Sequence, residues 1–188
     1  IIDYQAQTDA PTLCNLTNHA YWNLSGHDAG SVGDQKITLN ADYFTPVDNE
    51  AIPLGTLAPV TGTALDLRTP TAIGAHWDDP EEQLQNVGGY DHNFALRGSI
   101  GFLSPTAEVT SPATGITMQV APGVQFYTGN ALEGTPKGKN GAVYGRRAGF
   151  CLETQFYPDN IHHPDWPQAI LRPGALWKHQ TIYRFPAI

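Results

Sequence analysis

The stretch Ile1-Ile2-Asp3-Tyr4-Gln5-Ala6-Gln7-Thr8 decides the fold class, because Ile2, Tyr4, Ala6 and Thr8 alternate with Asp3, Gln5 and Gln7. A period of two puts successive side chains on opposite faces of an extended chain, so this pattern reads as a strand with one face buried. Working outward, runs with β-branched or aromatic content recur at Thr12–Leu24, Lys36–Phe44, Asp91–Arg97, Thr106–Ser111, Gly115–Ala121, Val124–Gly129, Gly149–Phe156 and Gln180–Phe185, usually bounded by Gly, Pro, Asn or Asp. Nineteen Gly and 15 Pro interrupt the chain too often for long helices. Strands in series with turn signals between them predict an all-β fold, an antiparallel sandwich or barrel rather than βαβ units. The one helix predicted is short, Pro80–Asn86, with Asp78 or Asp79 as cap, Pro80 in the first turn and two glutamates at its positive end.

The 188 residues suit one domain, 1–188, with a substantial core. A formal charge of −8 with ten Lys and Arg leaves no basic stripe to neutralise a phosphate backbone, so nucleic acid is a poor partner. No apolar run approaches the roughly 20 residues that span a bilayer, and no charged segment precedes an apolar one at the start, so a soluble, cytoplasmic protein without membrane contact is expected. Cys14 and Cys151 are too few for a disulfide framework and lack the local spacing of a zinc site; reduced thiols are expected. Because Ile1-Ile2 opens inside a strand pattern, the chain is expected to be a fragment. Its first strand is then expected to be disordered in part, or to associate through its edge with a copy of itself or with a missing N-terminal half.

Four segments concentrate polar and titratable residues in strand-like surroundings: NLTNHAYWNL (15–24), GYDHNF (89–94), QFYTGN (125–130) and FCLETQ (150–155). Each alone is a weak signal, since a His or Glu flanked by apolar strand residues is most often solvent-facing or a hydrogen-bonded structural group. The irregular stretches Thr45–Thr63 and Glu133–Arg147 are loops of the kind that border binding sites. His162 and His163 are adjacent, and neighbours on an extended strand point to opposite faces, so a shared metal site is not expected there. By the same parity Cys151 shares a face with Glu153, Cys14 points away from His19, and the thiols do not pair.

These four segments, with the opening DYQAQTD, TPVDNEAIPLG (45–55), the extension FCLETQFYPD and the closing ILRPGALWKHQTIYRF (170–185), carry a resemblance to the aldose 1-epimerase (galactose mutarotase) family nearly end to end and in order. The resemblance implies a large antiparallel β-sandwich, a supersandwich here lacking its N-terminal strands, with an open sugar cleft. It implies interconversion of the α and β anomers of free hexoses such as glucose and galactose, with no cofactor and no metal. It makes His19 the catalytic acid, Glu153 the catalytic base, and Asp91, Gln125 and Asn18 substrate contacts. Full-length members carry a further site His and an Arg upstream of anything present here, and His27, His76, His92 and His179 lie in contexts that do not replace them.

The chemistry requires such a pair: the anomeric hydroxyl must lose a proton while the ring oxygen gains one. An imidazolium and a carboxylate meet that need. Tyr21, Trp22, Phe126 and Tyr127 offer apolar faces to a sugar ring, although most are expected in the core. Three rival readings remain at this point. A hexose-6-phosphate 1-epimerase would need an arginine cradle, for which only Arg146-Arg147 is available. A noncatalytic sugar-binding or regulatory module could dispense with His19 or Glu153, and a purely structural β-domain with both.

Overall fold

The computed structural model describes residues 1–97, 106–121, 124–132 and 137–187. Along them run β1 (Ile2–Ala6), β2 (Thr12–Leu13), β3 (Lys36–Leu39), β4 (Ala41–Phe44), β5 (Ala58–Pro59), β6 (Thr71–Ala72), helix α1 (Glu82–Val87), β7 (Asp91–Leu96), β8 (Ala107–Thr110), β9 (Thr117–Ala121), β10 (Val124–Tyr127), β11 (Cys151–Glu153), β12 (Ile170–Leu171) and β13 (Trp177–Arg184). A six-stranded sheet has the order β1-β13-β9-β8-β3-β6, a five-stranded sheet β11-β10-β7-β4-β5, and β2 pairs with β12. The pairings among the described residues are antiparallel. The all-β antiparallel fold is therefore present.

The core lies where the inner faces of the two large sheets meet. Ile37, Leu39, Val109, Met118 and Val120 from the six-stranded sheet join Phe44, Phe94, Val124, Phe126 and Leu152 from the five-stranded sheet in one apolar cluster. Each such side chain taken from water contributes about 1.5–3 kcal/mol, which is what holds the two layers together. The first strand behaves as its alternation predicts: Ile2, Tyr4 and Ala6 are half-buried and Asp3 and Gln5 exposed. Among the described residues β1 forms one edge of its sheet, paired only with β13.

Several predicted runs are subdivided. Lys36–Phe44 is two strands in two different sheets, with Asn40 as the corner: its N–H donates to Thr106, continuing the β3–β8 pairing, and its carbonyl accepts from Arg97, continuing the β4–β7 pairing. Thr12–Leu24 keeps only β2 and a bridge at Trp22, whose N–H and C=O both pair with Phe150. Between them Asn15 binds both backbone groups of Phe156, and Asn18 Oδ1 accepts from the Ala20 N–H. Side chains thus satisfy what a ladder would otherwise satisfy, and residues 15–21 form a loop laid beside β11. The stretch Thr45–Thr63 contains β5 and a Val47–Pro53 bridge, while Glu133–Arg147 falls partly outside the described residues, at 133–136.

The predicted helix is present but begins later, at Glu82, with Glu81 at the capping position and no side-chain cap. Asp78 and Asp79 do not cap it because other partners hold them: Asp78 binds Arg147 and Asp79 binds His76. The Glu81 carboxylate instead accepts from the Ala64 N–H at 2.7 Å. No helix of the described residues is long and apolar enough to cross a membrane.

Candidate functional site

The strands β7, β10 and β11 lie side by side, and their register builds the floor of the site. Gln125 stands opposite both Glu153 and Asn93, and Tyr127 opposite both Cys151 and Asp91. Residues directly opposite in an antiparallel ladder share a face, and so do residues two apart on one strand. Asp91, Asn93, Gln125, Tyr127, Cys151 and Glu153 therefore form a grid two residues by three on one side of the sheet. The intervening His92, Phe94, Val124, Phe126 and Leu152 turn into the core and are buried. The alternation that packs the sandwich thus also delivers two carboxylates, two amides, a phenol and a thiol to its outer face.

His19 descends onto this grid from the 15–21 loop. Its Nε2 is 3.4 Å from Glu153 Oε1, and its Nδ1 is 3.4 Å from Cys151 Sγ. The His19 side chain is half exposed and that of Glu153 only 9% exposed, so the pair sits at a mouth with the imidazole on the outside. Tyr21 and Tyr127 flank the imidazole at ring-centroid distances of 5.2 and 6.1 Å. Gln125 Nε2 donates to Asp91 Oδ1 at 2.8 Å, which fixes the Asp91 carboxyl in the wall.

Burial pushes the Glu153 carboxyl above its ordinary range; His19 opposes the shift and the Asp91 carboxyl adds to it. Asp91 is likewise raised by burial, against the Gln125 hydrogen bond and the nearby His19. Two carboxyls on one face with a single imidazole between them strengthen each other as proton acceptors. Two buried polar atoms on or beside the grid, Asn93 Nδ2 and Gln125 Oε1, have no hydrogen-bond partner. Unpaired buried polar groups are costly, and a donor beside an acceptor matches what a hydroxyl-bearing ligand offers.

The structure brings His19, Glu153, Asp91 and Gln125 together. Asn18 has a different position: its Oδ1 accepts from Ala20 N–H and lies 3.1 Å from the Tyr183 hydroxyl, which also lies 3.1 Å from the Leu152 carbonyl. Its contacts tie the His19 loop to β11 and β13. Of the aromatics, Phe126 is core, Trp22 packs on Tyr183 and Phe185, and Tyr21 and Tyr127 line the site. Asn93 and Cys151 lie on the site face although neither is among the substrate-contact residues expected from the sequence; strand parity with Asp91 and Glu153 is the signal that finds both. Cys14 and Cys151 are both buried, free thiols.

The extended geometry expected for His162 and His163 does not hold, because Asn160–His162 is a 3₁₀ turn. Both rings reach Asp159, at 2.5 and 3.3 Å, and His163 stacks on Trp166. In the GYDHNF segment His92 faces inward against Phe44, and burial lowers it to about 4. A histidine held neutral when folded stabilises fully above its unfolded value of about 6.5 and loses that contribution as pH falls toward 4, up to about 3 kcal/mol. We expect denaturant titrations at pH 7 and pH 4.5 to show a smaller acid loss for His92→Phe than for the unsubstituted chain. Equal losses would show that His92 takes up its proton without penalty.

The chain is 47% identical over 188 residues to the galactose mutarotase of Homo sapiens, covering 98% of this chain and 53% of that protein. It is 38% identical over 191 residues to the aldose 1-epimerase of Escherichia coli (strain K12), covering 99% of this chain and 54% of that protein. Among solved structures it superposes with a TM-score of 0.84 on an aldose epimerase homologue from C. elegans, 27% identical, covering 99% of this chain and 55% of that one. The TM-score is 0.81 for the galactose 1-epimerase of Lactobacillus acidophilus NCFM, 30% identical, covering 98% of this chain and 52% of that one. The chain thus spans about half the length of the curated relatives it matches. With the aldose 1-epimerase family pattern matched over residues 1–184, the chain belongs to the aldose 1-epimerase family.

Proposed function

We propose that the chain supplies the acid/base centre of an aldose 1-epimerase acting on free hexoses such as glucose and galactose, and that residues 1–188 fold as one domain around the shared core. The observation that carries this reading is the His19–Glu153 pair, 3.4 Å apart over a face that also presents Asp91 and Gln125. Glu153 removes the proton of the anomeric hydroxyl while protonated His19 delivers one to the ring oxygen. The C1–O5 bond breaks and an open-chain aldehyde forms. Rotation about C1–C2 presents the other carbonyl face; then Glu153 returns its proton to O1, His19 recovers its own from O5, and the opposite anomer leaves. Every proton is restored, so the cycle calls for no cofactor.

Asp91, positioned by Gln125, accepts from sugar hydroxyls. Asp91→Asn is expected to raise KM at least tenfold with a smaller change in kcat, checked by initial rates over a range of sugar concentrations. Two readings weighed from the sequence gain no support. The phosphate cradle needed by a hexose-6-phosphate epimerase is committed elsewhere: Arg147 binds Asp78 and the Gly88 carbonyl, and Arg146 binds the same carbonyl. A binding module has no use for an acid and a base held within contact. The two unpaired thiols support a cytoplasmic location, and the edge position of β1 supports association there with a copy of this chain or with a further segment.

The test is polarimetric decay of freshly dissolved α-D-glucose and α-D-galactose. Decay faster than the buffer rate, abolished by substitution of His19 or Glu153, is the expected result. Sugar binding without any acceleration would make the chain a noncatalytic module.

A further inference from the structure

The sequence argues against a zinc site because Cys14 and Cys151 have no nearby ligand partners, yet the fold brings a histidine to Cys151 from 132 positions away. His19, Cys151 and Glu153 each offer one donor atom, and these atoms lie within 4.8 Å of one another. A tetrahedral zinc ion, with bonds of about 2.0–2.3 Å, places its ligand atoms roughly 3.3–3.8 Å apart. His19 meets its partners through different nitrogens, Nε2 at 3.4 Å from Glu153 Oε1 and Nδ1 at 3.4 Å from Cys151 Sγ, so the ring must turn for one nitrogen to serve both. His19 is half exposed on a loop and free to turn toward the two strand-borne donors.

We propose that this trio is an inhibitory site for a borderline-soft divalent cation of the zinc type, bound by one nitrogen of His19, Cys151 Sγ and a Glu153 carboxylate oxygen. The donor set selects the ion, since thiolate and imidazole favour zinc or cobalt over magnesium and calcium, which take oxygen. Strand parity sets Cys151 and Glu153 on one face of the ladder, and the histidine comes to them from a loop. The fourth position faces the mouth and takes water. Binding displaces the thiol proton. The cation is no cofactor: it occupies the lone pairs that the proposed acid and base use. The inhibition rests on the mutarotase reading, whereas the binding does not.

The experiment uses chelator-treated chain titrated with cobalt(II), which reports thiolate coordination by charge-transfer absorption in the near ultraviolet, followed by displacement with zinc. The expected result is a band saturating at one equivalent, retained in Cys14→Ser and lost in Cys151→Ser. Glu153→Gln, which keeps the side-chain size and does not touch the thiol, retains the band but weakens zinc binding at least tenfold. It serves as the deciding variant if Cys151→Ser does not fold. A missing band, a band surviving Cys151→Ser, or unchanged zinc affinity in Glu153→Gln overturns the site. One equivalent of zinc is expected to suppress mutarotation at least tenfold, with recovery on chelation; full activity with the site occupied overturns the inhibition. A chain with the cobalt band and no mutarotation refutes the proposed function and leaves the metal site standing.

Discussion

Glu153→Gln is expected to lower kcat for mutarotation by about 10²–10⁴-fold, the range typical of a positioned proton-transfer group, with KM changed far less. The substitution keeps the shape of the side chain and removes its ability to take a proton. Gln125 opposite and Leu152 beneath retain their packing, so the lesion is chemical rather than structural. The pH profile gives an independent reading. A base works only when ionised, and Glu153 is raised by burial, so kcat/KM falls on the acid side at a pH above the ordinary carboxylate range. That acid limb disappears from the residual activity of the variant. His19→Asn lowers kcat comparably. A loss smaller than tenfold in Glu153→Gln, or an unchanged acid limb, would remove Glu153 from the role of base.

The parts of this architecture that a sequence displays are those with a local physical cause. Alternation at Ile2, Tyr4 and Ala6 is local, and so is the parity that puts Cys151 with Glu153 and Asp91 with Asn93. The Asn40 corner is not local, because Lys36–Phe44 is continuously strand-like and only the pairing of Asn40 with Thr106 and Arg97 shows that it changes sheets. Helix capping by Asp78 fails for the same reason: its partner is Arg147, 69 residues away. The site depends on two such nonlocal facts, the register of β7 against β10 and β11 and the descent of the 15–21 loop. No spacing encodes either, so the grouping of His19 with Glu153 and Asp91 was legible through family resemblance alone. His162 and His163 show the cost of assuming extended geometry where Asp159, with φ of 60°, starts a turn.

Phe126→Ala is expected to destabilise the chain by about 3–5 kcal/mol, the range for removing a fully buried aromatic ring. Phe126 is inaccessible to solvent, lies opposite His92 and Leu152 in the two ladders, and packs against the Tyr90 ring at 5.3 Å. Its neighbours Gln125 and Tyr127 are on the opposite face, so the ring is the underside of the floor that carries Asp91 and Glu153. The cavity left by alanine would lie between β7 and β11, the strands that carry Asp91 and Glu153. Phe126→Leu retains most of the volume and is expected to cost less than about 1.5 kcal/mol. Denaturant unfolding of the two variants measures the difference, and mutarotation below the unfolding transition measures its effect on the site. We expect Phe126→Ala to lose activity even where it remains folded, because a floor free to settle by a fraction of an ångström no longer holds the acid and base in register with a sugar ring. A loss of stability under about 1 kcal/mol would mean that the core does not rest on this ring, and full activity in folded Phe126→Ala would mean that the positions of Asp91 and Glu153 are set by the outer face alone.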